Sequence, residues 1–267
     1  MKIKIILTGS SGFVGKNLIK FFKTKKNINL VRLKTKNILK TKINYKTISH
    51  ILHVGFDMRK NGANINTQLK ILEKLSKYSI ENNCKMIFLS SSCFGKSDNR
   101  NLYINSNYQK AKKKCEDYLI ENKKLGLKAL IIRVFNLYGP GQKNGFIVSD
   151  AISRITKNKT EKLTLHNYKN KRDFIFISDL VKAIYNCIVL DIEDKIIEIG
   201  YGKSYSIKYI YDKVKSLLKR NIHYSYKKPY VSKLSFTKAL IKENKKIFKW
   251  EPKINIEKGL KIILKIR

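Results

Sequence analysis

Tyr108 and Lys112, in the stretch YQKAK, stand four residues apart, the spacing at which one helical turn brings two side chains together. A free tyrosine has a pKa of about 10 and is a poor base at neutral pH. A neighbouring ammonium stabilises the phenolate and lowers that value, so the pair could take a proton from a hydroxyl or return one to a carbonyl. Spacing alone does not select it, because Tyr209/Lys213, Tyr211/Lys215 and Tyr224/Lys228 share the same separation in a chain with 15 Tyr and 58 basic residues. A second group is the turn TGSSGFVG, residues 8 to 15, which holds Gly9, Gly12 and Gly15. Glycines between a strand and a helix permit a tight reversal, close approach of the backbone to a pyrophosphate, and close helix–strand contact.

These groups need elements to position them, and the apolar pattern supplies candidates. The run KIKIIL (2 to 7) reads as a first buried strand, and Phe13, Val14, Leu18, Ile19 and Phe22 then recur at helical spacing. Although the first residues superficially resemble a signal sequence, the apolar run stops at Leu7, too early for one. Further strands are expected at 28 to 33, 48 to 55, 85 to 92 and 128 to 139, and helices at 65 to 83 and 108 to 124. Nearly continuous apolar strands alternating with helices predict an α/β fold, a Rossmann-like doubly wound parallel sheet covered on both faces. Past Pro140 the pattern loosens into helices near 146 to 157, from Asp179, near 206 to 219 and near 255 to 265, with short strands near 162 to 166 and 174 to 177. Residues 1 to 142 are therefore expected to form a dinucleotide-binding domain. Residues 143 to 267 form a smaller C-terminal α/β substrate-binding lobe, with part of 173 to 190 packing back onto the first.

Placed between the first strand and the first helix, the turn is read as a cofactor cradle made by Gly9, Ser11, Gly12, Phe13, Val14 and Gly15. An acidic residue ending the second strand would suit a free ribose 2′-hydroxyl. Here that strand ends LVRLKTK, with Arg32, Lys34 and Lys36 and no acid. Basic groups suit a 2′-phosphate, which favours NADP over NAD.

The totals bound the class. Hydrophobic residues make up 43% of 267, enough for a globular core, and no run approaches a membrane span. Cys84, Cys93, Cys115 and Cys187 are widely spaced without a CxxC pair, and the four His are scattered; a reduced, cytoplasmic protein without a metal site is expected. The net charge of +39 raises the alternative of a non-catalytic protein binding RNA or another polyanion. Against it, Lys is spread along the whole chain and Arg, the residue suited to bidentate base contacts, is scarce. Lys, Ile, Asn, Tyr and Phe are all encoded by A/T-rich codons, which accounts for the charge without a partner.

The segments TGSSGFVG, LSSSCFG, YQKAK, RVFNLYGPG and RDFIFISDL occur in one order. In that order the chain resembles the extended short-chain dehydrogenase/reductases of the NAD-dependent epimerase/dehydratase family, the nucleotide-sugar epimerases, dehydratases and ketoreductases. The likeness runs from residue 3 to the closing WEPKINIEKGL. It selects Tyr108 and Lys112 among the four pairs and implies a proton exchange by Tyr108 at a sugar hydroxyl or carbonyl while nicotinamide takes or gives hydride. Lys112 would also hold the nicotinamide ribose, and Glu116 orient the helix. Counted back from Gly95, the catalytic serine is Ser90, with Ser91 as the fallback on the substrate side; Phe94 replaces the usual Tyr. The resemblance further implies that Asn64 props the active-site helix beside the cofactor, and that Asn136 and Arg172 meet the substrate diphosphate. Gly55 in LHVGF stands where Ala is common. A 4,6-dehydratase would follow its catalytic residue with Asp-Glu, and Ser91-Ser92 argues against that reaction. The implied function is oxidation or reduction at C4 of a nucleotide-diphosphate sugar, as a 4-epimerase or a 4-keto-6-deoxysugar reductase, in a homodimer formed through the Tyr108 helix. Two departures stand out: the chain is shorter than most members, and the stretch from Ser90 to Tyr108 is compressed.

Overall fold

The computed structural model describes residues 2–56, 64–92, 106–193, 195–227 and 236–266, with Lys36 described in its backbone alone. Strand β1 (Ile3–Thr8) leads through the glycine turn into helix α1 (Phe13–Phe22), followed by β2 (Ile28–Leu33), β3 (His50–His53), α2 (Ile65–Glu81), β4 (Lys85–Ser91), α3 (Asn107–Glu121) and β5 (Ala129–Val134). The second half comprises β6 (Asn136–Tyr138), α4 (Ile147–Lys157), β7 (Lys162–Leu165), β8 (Lys171–Phe176), α5 (Ile177–Val189), β9 (Ile196–Ile199), β10 (Ser204–Ser206), α6 (Ile207–Leu217), β11 (His223–Tyr226), α7 (Asn244–Phe248) and α8 (Ile256–Leu264).

A parallel sheet in the order β2-β1-β3-β4-β5-β9 forms the centre, as the apolar runs predict. Successive side chains of a strand point to opposite faces, and both faces here are buried. Ile5, Leu7, Leu52, Ile87, Leu89, Leu130 and Ile132 belong to one core, which also holds residues of α1 and α5. Their neighbours Ile6, Ile51, Met86, Phe88, Ala129 and Ile131 belong to the other, beneath α2 and α3. The chain turns outward in opposite directions from β1 and β3, which are neighbours, so a crevice opens beyond their carboxyl ends, the usual place for a ligand in such sheets.

The second half returns to this sheet. Strand β9 pairs with β5, and α5 packs on α1 through Phe21 and Tyr185, whose rings meet edge-on at 5.6 Å. The stretch 128 to 139, expected as one strand, is two: β5 ends at Val134, and β6 leaves the sheet to pair with β8. Buried Phe135 marks the break, its N–H donating to Ile199 O. Strands β6, β8 and β10 form a three-stranded sheet, and β7 pairs with β11. Strands β6, β9, β10 and β11 and helix α7 go beyond the elements expected from pattern; with three to five residues each, they are too short to show a period. Among the described residues no helix is long and apolar enough to cross a membrane.

Asp179, fully buried in the first turn of α5, ties down the closing segment. Its Oδ2 accepts from the N–H groups of Lys253 (2.9 Å) and Ile254 (2.8 Å), and its carbonyl accepts from Trp250 Nε1 (3.0 Å). Asp179→Ala orphans both backbone donors, and we expect a loss of about 2–4 kcal/mol of unfolding free energy; a denaturation midpoint equal to wild type would refute this anchor.

Candidate functional site

The turn after β1 is built by backbones in close contact. Gly9 has φ +69°, and a Cβ there would run into the backbone of Gly55; one on Gly15 would strike Gly9 O. Gly12 N donates to Gly9 O (3.0 Å), and Gly12 caps α1 without a side-chain bond; a helix N-terminus after a glycine turn is the arrangement that receives an anionic phosphate. Ser11 is exposed there, and Phe13 and Val14 are half-buried. Thr35 closes the turn from outside: its Oγ1 accepts from Gly9 N (3.1 Å) and occupies the place a Gly55 Cβ would need. Together with the Gly9 backbone, whose N lies 2.8 Å from the same place, that contact accounts for glycine at position 55. Arg32 is exposed in edge strand β2, opposite Leu7, with Lys34 exposed beyond it; the side chain of Lys36 lies outside the described residues.

Helix α3 begins with a capping box. Ser106 Oγ accepts from Gln109 N (3.2 Å), and Gln109 Oε1 accepts from Ser106 N (3.1 Å), a reciprocal arrangement that satisfies two terminal donors. Tyr108 therefore sits in the first turn, with Lys112 and Glu116 following on the same face. Lys112 is 3% exposed, and its Nζ donates to Leu89 O. Glu116, 1% exposed, accepts from Arg133 Nη2 at 2.7 Å and from Arg133 Nε at 3.2 Å. Arg133 lies on β5 in register with Ser90 on β4. Alternation along β4 turns Ser90 to the same side as Met86 and Phe88, the side of α3, and Ser91 to the other. Ser90 is 5% exposed, and its Oγ has no hydrogen-bond partner among the described residues.

Electrostatics at this point are set by burial. Burial pushes the Lys112 ammonium down to about 7, while Cys115 and Glu116 act to hold it up. His53, buried at the end of β3, bonds through Nδ1 to Thr8 Oγ1 (2.7 Å) and stacks on Phe88 (5.7 Å). Burial, with the Lys112 charge adding to it, pushes His53 down to about 3, so its ring is neutral at any ordinary pH. Cys115, one turn from Ala111, is pushed up to about 12 by burial and stays a thiol.

The sheet β6-β8-β10 carries the other candidates. Asn136 Nδ2 donates to Asp173 O (2.9 Å), and Arg172, half-buried on β8, donates from Nη1 to Lys171 O (2.9 Å). Asp173 is fully buried and accepts from the N–H groups of Tyr201 (2.7 Å), Gly202 (2.8 Å) and Ala239 (3.0 Å). Burial nevertheless pushes its carboxyl up to about 6. This aspartate anchors two segments, at 201–202 and at Ala239, beside Arg172.

The structure thus brings Ser90, Lys112 and Tyr108 to one side of β4 and places Asn136 and Arg172 on adjacent strands. Asn64 is different: exposed at the start of α2, it accepts from Thr67 N (3.1 Å) and caps its own helix, so this bond does not prop α3. Phe94 and Gly95, from which Ser90 is counted, and Cys93 lie outside the described residues. Of the competing pairs, Tyr211 is buried and hydrogen-bonded by Arg154 Nη1 (3.0 Å), and Lys213 pairs with Glu257 (3.0 Å); Lys228 lies outside the described residues. Sequence reasoning missed Arg133, although a lone Arg in LIIRVF was a usable signal. It also missed Thr35, His53 and Phe56, for which composition offers none.

The model of the family described as "NAD dependent epimerase/dehydratase family" matches residues 5–200. The chain is 25% identical to the dTDP-4-dehydro-6-deoxyglucose reductase of Escherichia coli over 98% of its own length and 97% of the relative's. A solved UDP-glucose 4-epimerase with UDP-glucose from Thermotoga maritima superposes with TM-score 0.79 at 20% identity, covering 98% of each chain. The RMD protein of Pseudomonas aeruginosa, complexed with NADPH, gives TM-score 0.81 at 17% identity over 99% of this chain and 98% of that one. These two structures share the fold.

Lys112 also makes a stability prediction. Its folded value of about 7 lies below the ordinary 10.5, so below about pH 7 both states carry the proton and the burial cost is full. Between those values the unfolded chain holds a proton that the folded one has released, and folding stability rises with pH. We expect Lys112→Met to be more stable than wild type near pH 6 and the advantage to shrink towards pH 10, as measured by urea denaturation. An advantage that does not change with pH would contradict the burial cost.

Proposed function

The chain belongs to the NAD-dependent epimerase/dehydratase family, and from that membership we propose that it oxidises or reduces C4 of a nucleotide-diphosphate sugar, as a 4-epimerase or a 4-keto-6-deoxysugar reductase. The observation that supports this reading is Ser90 Oγ, buried without a partner among the described residues and one residue from the carbonyl that receives Lys112. A buried hydroxyl left unpaired costs about 1–3 kcal/mol, and such a group is expected where a substrate oxygen completes the bond. A protein that only bound RNA or another polyanion would have no use for that arrangement.

In this reading Ser90 donates a hydrogen bond to the C4 oxygen, and Tyr108 takes the proton from the C4 hydroxyl on oxidation or returns it to the ketone on reduction. Lys112 stabilises the phenolate and meets the nicotinamide ribose. The glycine turn fits a dinucleotide, because Gly9 and Gly15 leave no room for side chains and the start of α1 carries no side-chain cap among the described residues; Gly9, Ser11, Gly12, Phe13, Val14 and Gly15 would hold its pyrophosphate. When bound, the nicotinamide supplies or accepts the hydride at C4. Arg32 suits a 2′-phosphate and favours NADP over NAD. Asn136, Arg172 and Ser91 are assigned to the substrate side, where the planar fork of Arg172 suits a diphosphate.

Two measurements test the proposal. Tyr108→Phe and Ser90→Ala should lower kcat by about 10²–10⁴-fold for the tyrosine and less for the serine, with NADPH binding retained; turnover by Tyr108→Phe at the wild-type rate would end the assignment. The cofactor released from freshly purified protein on denaturation separates the two reactions. Near-stoichiometric NAD or NADH fits an epimerase that regenerates its own cofactor and overturns the role given to Arg32, whereas an empty protein that prefers NADPH fits a reductase. Release of a 4-keto-6-deoxy sugar from any nucleotide hexose would overturn the exclusion of dehydration.

A further inference from the structure

Phe56 follows β3 by three residues and is half-buried. The Nζ of Lys112 lies 3.9 Å from the centroid of its ring and 4.4 Å from that of Phe88. The ring of Phe56 also stands perpendicular to Tyr108, with centroids 5.5 Å apart at 89°. One aromatic side chain thus touches both members of the Tyr108–Lys112 pair. Lys112 has three protons to donate, and its hydrogen bond among the described residues is to Leu89 O; ring faces meet it on two other sides.

We infer that Phe56 is a positioning residue for the Tyr108–Lys112 pair: its ring, with that of Phe88, cages the Lys112 ammonium as a cation and fixes the Tyr108 ring beside it. The inference rests on the roles proposed above for Tyr108 and Lys112. An ammonium over an aromatic face is attracted by the negative charge of the ring face, and more strongly when water is excluded. Burial drives Lys112 towards the neutral amine, so the cage opposes the loss of the charge that the phenolate needs. Two of the other groups facing Lys112 keep one form across the neutral range. His53 from β3 is neutral and Cys115 on α3 is a thiol, while Glu116 is held in its pair with Arg133 of β5. Near neutral pH the charge beside Tyr108 is therefore governed by Lys112 and the rings around it.

The test needs no substrate. Ultraviolet absorbance of tyrosinate is titrated in each protein and in its Tyr108→Phe counterpart, and the difference isolates Tyr108. In Phe56→Leu the apolar surroundings remain and the ring is lost, so Lys112 is less charged and the Tyr108 curve should move to higher pH by about one unit, a tenfold change in its ionisation constant. Phe56→Met, a second ringless side chain of similar size, should shift it the same way. Phe56→Tyr keeps the ring and should leave the Tyr108 curve where it is in wild type. Curves that stay in place in Phe56→Leu and Phe56→Met, or a Phe56→Tyr curve displaced like theirs, would overturn the inference. If a nucleotide sugar is turned over, the acidic limb of kcat/KM for oxidation should shift with the titration. Absence of turnover in wild type sinks the proposed activity and leaves the titration to judge Phe56; turnover with unmoved titration curves sinks the role of Phe56 alone.

Discussion

The buried pair between Glu116 and Arg133 fixes the relation on which the site depends. Helix α3 is polar for a helix so closely packed; its buried positions are Ala111, Lys112, Cys115, Glu116 and Leu119, of which only Ala111, Cys115 and Leu119 supply apolar contact. Arg133 holds the middle of this helix against β5 by three N–H···O contacts, the shortest 2.7 Å. Because Arg133 is in register with Ser90, the same bond that locates α3 locates it relative to the serine. Two such charges gain little net stability over an apolar pair, but removing one partner leaves the other buried and costs about 3–5 kcal/mol. What the pair contributes is placement. Tyr108 and Lys112 occupy the same face two turns and one turn before Glu116, so their distance from β4 is set by an interaction that involves neither of them.

The second constraint is the alternation of a sheet buried on both faces. In an exposed sheet, three consecutive serines could each be turned towards the site by a small slip in register. Here β4 runs between two cores, and a slip of one residue would exchange Ile87 and Leu89 for Met86 and Phe88 across the whole sheet. The register is therefore held by apolar side chains well below the serines. Of the run Ser90-Ser91-Ser92, it is Ser90 that is delivered to the face of α3.

This explains what could be read in advance. Strands β1, β3, β4 and β5 were legible because burial on both faces makes their central positions apolar, and helices α1, α2 and α3 because one face alone is buried. The glycine turn was legible because its backbone contacts exclude side chains at fixed positions. The short strands β6, β9, β10 and β11 were not, since their pairing partners lie far along the chain and three or four residues show no period. For the same reason nothing local announces that Arg133 answers Glu116, that Thr35 fills the space left by Gly55, or that Phe56 reaches Lys112. Each is a contact between residues separated by 17 to 56 positions in sequence. Asn64 shows a second, local task that the motif did not announce: its Oδ1 caps α2 by accepting from Thr67 N.

In a chain with a net charge of +39, charge alone does not set Lys112 apart from the other lysines. Environment does so here. Lys208, Lys213 and Lys245 lie at the surface opposite Asp212, Glu257 and Glu251, in exposed pairs that salt screens and that contribute little. Lys112 is withdrawn from water, where screening is weak, and burial, Cys115, Glu116, the Leu89 carbonyl and the neighbouring rings act on its charge. The surface lysines contribute instead to a long-range positive field, which weakens with ionic strength. In the proposed reading the two populations separate encounter from chemistry: the surface charge contributes a field that salt screens, and the Lys112 ammonium, held where screening is weak, would act on the phenol of Tyr108.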